Sequence, residues 1–335
     1  VGNLAQRRCP GAGGSGLLME EATYSHLPVM PEEVIQWLNP QPGGVFLDGT
    51  LGGAGHAQLI LDRAPASRLI GVDRDPAALA HAGQILAPYG DRVSLHHAEF
   101  DQAAGLLAQL GISGLDGMLL DLGVSSHQLD TPERGFSFRH EAPLDMRMNP
   151  QAGVTAAEVV NQLEEAPLRQ LFFDFGEERY SRRIAARIAA KRQQQPIITT
   201  TELADLVCDA VPGGHRPDRI HPATRIFQAL RIYVNDELGQ VRRGVDAAID
   251  LLKPGGRLVV ISFHSLEDRI VKQLFRARAQ GCICPPRLPV CQCRHQPDVE
   301  ILTRKGIKAT AAEIEVNQRS RSAILRAVER CQPGG

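Results

Sequence analysis

The chain has 335 residues, 43% of them hydrophobic, and its 37 basic and 38 acidic side chains leave a net charge of −1. That length can bury a sizeable core, and the near cancellation of charge excludes a global basic field, so any nucleic-acid surface has to be local. No apolar run long enough to span a bilayer occurs and nothing reads as a secretory signal, which points to a soluble, cytoplasmic protein without a membrane partner.

Residues 1–22 open on Val1, are Gly-rich and lack periodicity, and are expected to form a disordered tail in which Met19 is a candidate native start. Beyond it, apolar runs and helical patterns alternate. "VFLDG" reads as a strand, "HAQLILDRA" as a helix, "RLIGVDRD" as a strand and "PAALAHAGQILAPYG" as a helix starting at Pro76. "RVSLHHAEF" follows as a strand, "QAAGLLAQLG" as a helix and "GLDGMLLDLGVSS" as a fourth strand. Short apolar strands separated by helices indicate βαβ units and a doubly wound, mostly parallel α/β sheet.

The next clear strand, "GGRLVVISFH" ending at His264, arrives only after a long helical text: "TAAEVVNQL", "EAPLRQLFFDF", "EERYSRRIAARIAAKRQQ", "TTELADLVCDAV" and "ATRIFQALRIYVNDELGQVRRGVDAAIDLL". A βαβ crossover needs far less chain, so an all-α domain at 131–235 is expected as an insertion into a sheet domain made of 23–130 and 236–335.

"VFLDGTLGGAGHA" carries the first functional signal. A Gly-rich turn after the first strand lets a ligand approach the main chain, and Asp73, ending the second strand, can accept hydrogen bonds from ribose hydroxyls. The dinucleotide pattern G-x-G-x-x-G fails, because from Gly53 and Gly55 its last position falls on Gln58, and no Walker lysine is present. Asp48 at the head of the loop would repel a pyrophosphate and suit an amino group. S-adenosylmethionine is therefore favoured over NAD or ATP. The turn and strand in "LLKPGGRLVVISFH" are common in class I methyltransferases.

Longer stretches carry a closer resemblance. "SHLPVM", "LDGTLGGAGHA", "GVDRDP", "DLGVSSHQLD", "RGFSF", "PLDMRM", "IFQALRIYVNDEL", "GGRLVVISFHSLEDRIVK" and "NQRSRSAILRAVE" resemble the RsmH family, also called MraW, from about residue 24 to 330. The resemblance implies a class I fold and methyl transfer from S-adenosylmethionine to N4 of a cytidine in the decoding region of small-subunit (16S) ribosomal RNA. It places cofactor contacts at Ala54, Gly55, His56, Asp73, Phe100, Asp121 and Gln128, with Phe100 against adenine. Ala54 stands where a glycine is also frequent in the family. The implied partner is the small ribosomal subunit or its 16S rRNA, with no DNA partner; the residues leave oligomeric state open.

An amine whose lone pair is delocalised has to be oriented towards the methyl group and given an acceptor for its hydrogens. Amino-directed methyltransferases place an acidic, amide or hydroxyl residue before Pro-Pro-aromatic after strand four. Here Asp121 keeps the acidic start and Leu122-Gly123-Val124 replaces the rest, which makes Asp121 the catalytic candidate. In "SFHSLEDR", Ser265 and Asp268 read as a capping box, with His264 beside them as a second substrate-facing candidate.

Cys282-x-Cys284 and Cys291-x-Cys293 bring four thiols into twelve residues, but structural zinc sites usually space thiols as C-x₂-C, so a reduced, metal-free loop is expected. Basic residues collect in the insertion, at Arg179, Arg182, Arg183, Arg187, Lys191 and Arg192 and again at Arg216, Arg219, Arg225 and Arg231. They suggest a phosphate-facing surface, with Tyr180 and Phe227 available for stacking. On residues alone, a binding protein without catalysis and a small-molecule methyltransferase both stay open.

Overall fold

The computed structural model describes residues 27–215, 221–284, 290, 292–293 and 295–332. The expected tail with Met19, and Arg216, Arg219 and Cys291, lie outside the described residues. Helix α1 (Pro31–Leu38) leads into strand β1 (Val45–Asp48). The chain then alternates through α2 (Gly55–Arg63), β2 (Arg68–Asp73), α3 (Pro76–Leu86), β3 (Val93–His97), α4 (Ala103–Gln109) and β4 (Leu115–Asp121). Helices α5 (Ser126–Asp130), α6 (Ala156–Gln162), α7 (Glu165–Gly176), α8 (Ser181–Arg192), α9 (Thr200–Ala210) and α10 (Ala223–Val234) follow. Helix α11 (Glu237–Leu251) returns to β5 (Leu252–Ser262), followed by α12 (Ser265–Arg278), β6 (Val299–Ile301), β7 (Ile307–Lys308), α13 (Ala311–Val316) and β8 (Ile324–Arg330).

The strands form one sheet in the order β3-β2-β1-β4-β5-β8-β6, with β7 also on β8. Strands β1 to β5 run parallel, and β8 enters antiparallel between β5 and β6. This is the doubly wound, mostly parallel α/β sheet that the alternating pattern indicates. Chain order reverses between β1 and β4, so the connections after these strands diverge and open a crevice at their carboxyl ends. Central strands buried on both faces read as near-continuous apolar runs, as in "MLL" of β4, whose Met118, Leu119 and Leu120 are fully buried. Separate apolar clusters cover the two faces, one through Val245, Ile249 and Phe275 and the other through Val34, Ile60 and Leu61.

Helices α6 to α10 hold a third apolar cluster of their own, built on Phe172, Ile184, Ile188, Leu203, Ile226 and Leu230. The sequence reading runs one helical pattern from Ala223 to Leu252, which the structure divides into α10 and α11. The pattern breaks at Asn235–Asp236, where Asp236 takes a left-handed φ of 46°. The cause is long-range. The Asn235 side-chain amide donates to the Met146 carbonyl at 2.8 Å, and its oxygen accepts the Met148 amide at 2.7 Å. These bonds tie the helix end to a distant loop and outcompete continuation of the helix.

Two further features lie beyond local pattern. Pro254-Gly255-Gly256, read as a turn before the last strand, is a bulge inside β5, where the register shifts between Leu115 and Gly117 of β4. The antiparallel β8 is held by Arg326, which donates to Asp268 of α12 at 2.6 and 3.1 Å. No helix among the described residues is long and apolar enough to cross a membrane.

Candidate active site

One cleft lies over the carboxyl ends of β1, β2 and β4. Its first wall is the loop after β1. Gly49 is needed there because a Cβ would stand 2.6 Å from Leu120 and 2.9 Å from Phe100, and Gly52 takes a positive φ of 47°. Gly52, Gly53, Gly55 and His56 line the cleft, whereas Ala54 does not. Ala54 caps α2 with a left-handed φ of 60°, and its methyl is buried in the core. The loop turns at Ala54, so its side chain points into the protein and its backbone is what it can offer a ligand. Asp48 is likewise buried beneath the loop, behind the residues that line the cleft. Burial pushes its carboxyl up to about 7 against the opposing influence of His56 and the Thr50 amide.

Asp73 ends β2 at the cleft. Its carboxylate accepts the Gly52 and Asp75 amides, each at 2.8 Å, so one side chain fixes the turn of the Gly loop to the next strand. Burial raises its pKa, and the two amide bonds oppose the rise. Each oxygen keeps capacity for a further donor. Phe100 lines the same cleft and is clamped against α11, where a Cβ at Gly244 would meet the ring at 2.3 Å. Gln128 also reaches the wall, but its amide is engaged: it donates to Asp75 at 2.9 Å and accepts the Ser125 amide at 3.1 Å.

Asp121 ends β4, and its backbone amide donates to Thr50 Oγ1 at 2.6 Å. One carboxylate oxygen stands 3.6 Å from His56 Nε2, and the other, Oδ1, is buried with no hydrogen-bond partner among the described residues. Neither ring nitrogen of His56 has such a partner. Leaving a buried carboxylate oxygen unpaired is costly, so an orphan of this kind in a cleft calls for a ligand donor.

The opposite wall comes from α10, α11 and the start of α12, and sequence reasoning missed most of it. Arg231 donates through Nε and Nη2 to the two Glu237 oxygens, both at 2.8 Å. Burial would lower the Arg231 pKa, but the Glu237 carboxylate outweighs it and raises the value. Glu267 Oε2 accepts the Phe263 amide at 2.8 Å, and its Oε1 stands 3.1 Å from His264 Nε2. Burial alone would raise the Glu267 pKa; the His264 ring, Arg231 and the Phe263 amide hold it below the usual carboxylate value. Arg74, pushed down by burial, donates to the Asn235 carbonyl at 2.9 Å and to Gln240 at 3.1 Å, joining β2 to the helical side.

The capping box reading needs correction. His264 is the N-cap and Glu267 the third helical residue. Ser265 instead donates to Glu177 at 3.0 Å, and Asp268 pairs with Arg326. Glutamate has the length to reach back to the cap amide, while β8 supplies a cation that draws Asp268 away. The spacing His264-x-x-Glu267 was the signal to follow.

The basic residues of the insertion also divide. Arg231 belongs to the cleft wall rather than to an open phosphate-facing surface. Arg192 donates to the Val160 and Leu163 carbonyls at 2.7 and 2.6 Å, and Lys191 is 3.8 Å from Glu202. Phe227 is buried against Phe138 and so offers no stacking face. Arg182, Arg183 and Arg187 are exposed on α8, and the Arg179 guanidinium lies 4.7 Å over the Tyr180 ring.

Residues 23–331 match the model of the MraW methylase family. The chain is 59% identical over 313 residues to ribosomal RNA small subunit methyltransferase H of Syntrophotalea carbinolica, an alignment covering 93% of this chain and 100% of that protein. It is 56% identical over 309 residues to the protein of the same name from Geobacter sulfurreducens, covering 92% and 99%. A match over nearly the whole length of both chains, on a class I sheet with its cleft at the switch point, makes this protein a member of the MraW methylase family.

Proposed function

We propose that the protein methylates small-subunit (16S) ribosomal RNA, transferring a methyl group from S-adenosylmethionine to the N4 amine of a cytidine in the decoding region. The observation that carries this reading is the orphaned Asp121 Oδ1, buried at the junction of the Gly-loop wall and the helical wall. S-adenosylmethionine, when bound, supplies the electrophilic methyl group on its sulfonium. Backbone of the Gly loop faces the cofactor, Asp73 accepts from its ribose hydroxyls and Phe100 covers its adenine. Asp121 accepts a hydrogen bond from the target amine and turns the nitrogen lone pair towards the methyl group. Arg182, Arg183 and Arg187 offer cations to RNA phosphates.

The substrate is tested with labelled cofactor and small-subunit particles from cells lacking this activity. Label recovered as N4-methylcytidine at a single decoding-region position is the expected result. Label in another nucleoside overturns the assignment, as does transfer to small amines in place of the particle.

The donor side has its own test. Asp73→Ala removes a charge-assisted acceptor, so cofactor affinity is expected to fall about ten- to a hundredfold, roughly 1.5–3 kcal/mol. Titration calorimetry reads this directly, and wild-type affinity removes Asp73 from the ribose site.

A further inference from the structure

The cysteine loop between α12 and β6 belongs to neither wall of the cleft. Its spacing alone favoured a metal-free loop, but its geometry points the other way. The sulfurs of Cys282, Cys284 and Cys293 all lie within 4.8 Å of one another. Cys282 and Cys293 sulfurs, eleven positions apart in the chain, are 3.8 Å from each other. Two thiolates each about 2.3 Å from a tetrahedral zinc stand about 3.8 Å apart, whereas a disulfide needs about 2.05 Å.

Two observations add to the distance. The Gln292 backbone amide donates to the Cys284 sulfur at 3.4 Å, the kind of outer bond that stabilises a metal-bound thiolate. Among the described residues of the loop, Ile283 and Val290 are 57% and 69% exposed. Its base is firmly tied: the Asp298 amide donates to the Arg278 carbonyl at 2.8 Å, and the Cys331 amide to the Asp298 carbonyl at 2.9 Å. A convergence of three thiols above such a base, with Ile283 and Val290 turned to solvent, is what a bound ion would hold together.

We infer that Cys282, Cys284 and Cys293 bind a structural zinc ion that staples this loop to the edge of the sheet. Soft thiolates in tetrahedral array select zinc among common divalent ions, and the ligands of an iron–sulfur cubane, each on a different iron, would stand farther apart. The sequence carries a further thiol at Cys291, outside the described residues, so the site is argued on three. The site lies apart from the cleft and serves the loop rather than methyl transfer.

Protein purified under reducing conditions without chelator is expected to hold about one zinc per chain by elemental mass spectrometry. Cobalt(II) in its place should give the intense visible bands and thiolate charge-transfer absorption of a tetrahedral thiolate site, a readout that needs no variant. Cys282→Ser combined with Cys284→Ser should lower bound zinc by about tenfold or more while calorimetric affinity for S-adenosylmethionine stays unchanged. Wild-type protein with free thiols and less than about a tenth of an equivalent of zinc overturns the inference. So does zinc retained in full by the double variant, or copper or iron found in its place.

Discussion

Replacing Arg231 with methionine is expected to destabilise the protein by about 3–5 kcal/mol, because it breaks a buried ion pair and leaves one charge behind. Arg231 and Glu237 are bonded through both guanidinium and both carboxylate positions, with side chains only 16% and 5% exposed. Without the arginine, Glu237 faces the buried Glu267, since both carboxylates and His264 bring ligand-type atoms within 4.8 Å of one another. Arg231 sits on α10 of the helical block and Glu237 on α11 beside the sheet, so the pair also ties these two helices together within one wall of the cleft. Urea unfolding of the single variant should show the loss. The double variant Arg231→Met with Glu237→Gln should recover most of it, because it removes the stranded charge. A single variant with an unchanged midpoint would show that the pair contributes nothing net. Equal losses in the single and double variants would assign the effect to packing of the arginine stem instead.

Asp121→Asn should lower the single-turnover methylation rate by roughly a hundredfold, with a much smaller change in RNA affinity. Asparagine keeps the shape and still fits beside His56 and the loop, but it replaces a charged acceptor with an amide that presents one acceptor and one donor. The unpaired Oδ1 then no longer offers a charged acceptor to the amine, and the lone pair spends less time in line with the methyl group. Rapid-quench measurement under saturating enzyme separates the chemical step from product release. Wild-type single-turnover kinetics in this variant would refute the role, and an equal fall in RNA affinity would make Asp121 a binding group.

Much of the sheet is legible because its information is local. Strands β1 to β5 are short apolar runs, α2 to α4 follow with helical periodicity, and the pattern needs only near neighbours to be read. The Gly loop and Asp73 are legible for the same reason, since the turn and the strand end that bring them together lie a few residues from each. Phe100 follows β3 and Asp121 closes β4 of the same sheet, so the topology delivers both to its carboxyl end.

What depended on tertiary structure involves partners far apart in the chain. Asn235 interrupts a helical pattern because the backbone at Met146 and Met148 competes for it. Arg231 looks like a solvated cation until Glu237 is placed across the break, and Asp268 looks like a cap until β8 brings Arg326 to it. Ala54 resembles its glycine neighbours in the loop, but its left-handed turn buries the methyl. Even the cysteines follow this division: their spacing is a property of the sequence, while the 3.8 Å between the Cys282 and Cys293 sulfurs exists only once the loop is closed. Local periodicity and turn chemistry thus determined which elements form and where the cofactor loop lies. The choice among competing partners for buried polar and charged groups waited for the fold, because that choice turns on burial and distance rather than on neighbours in the chain.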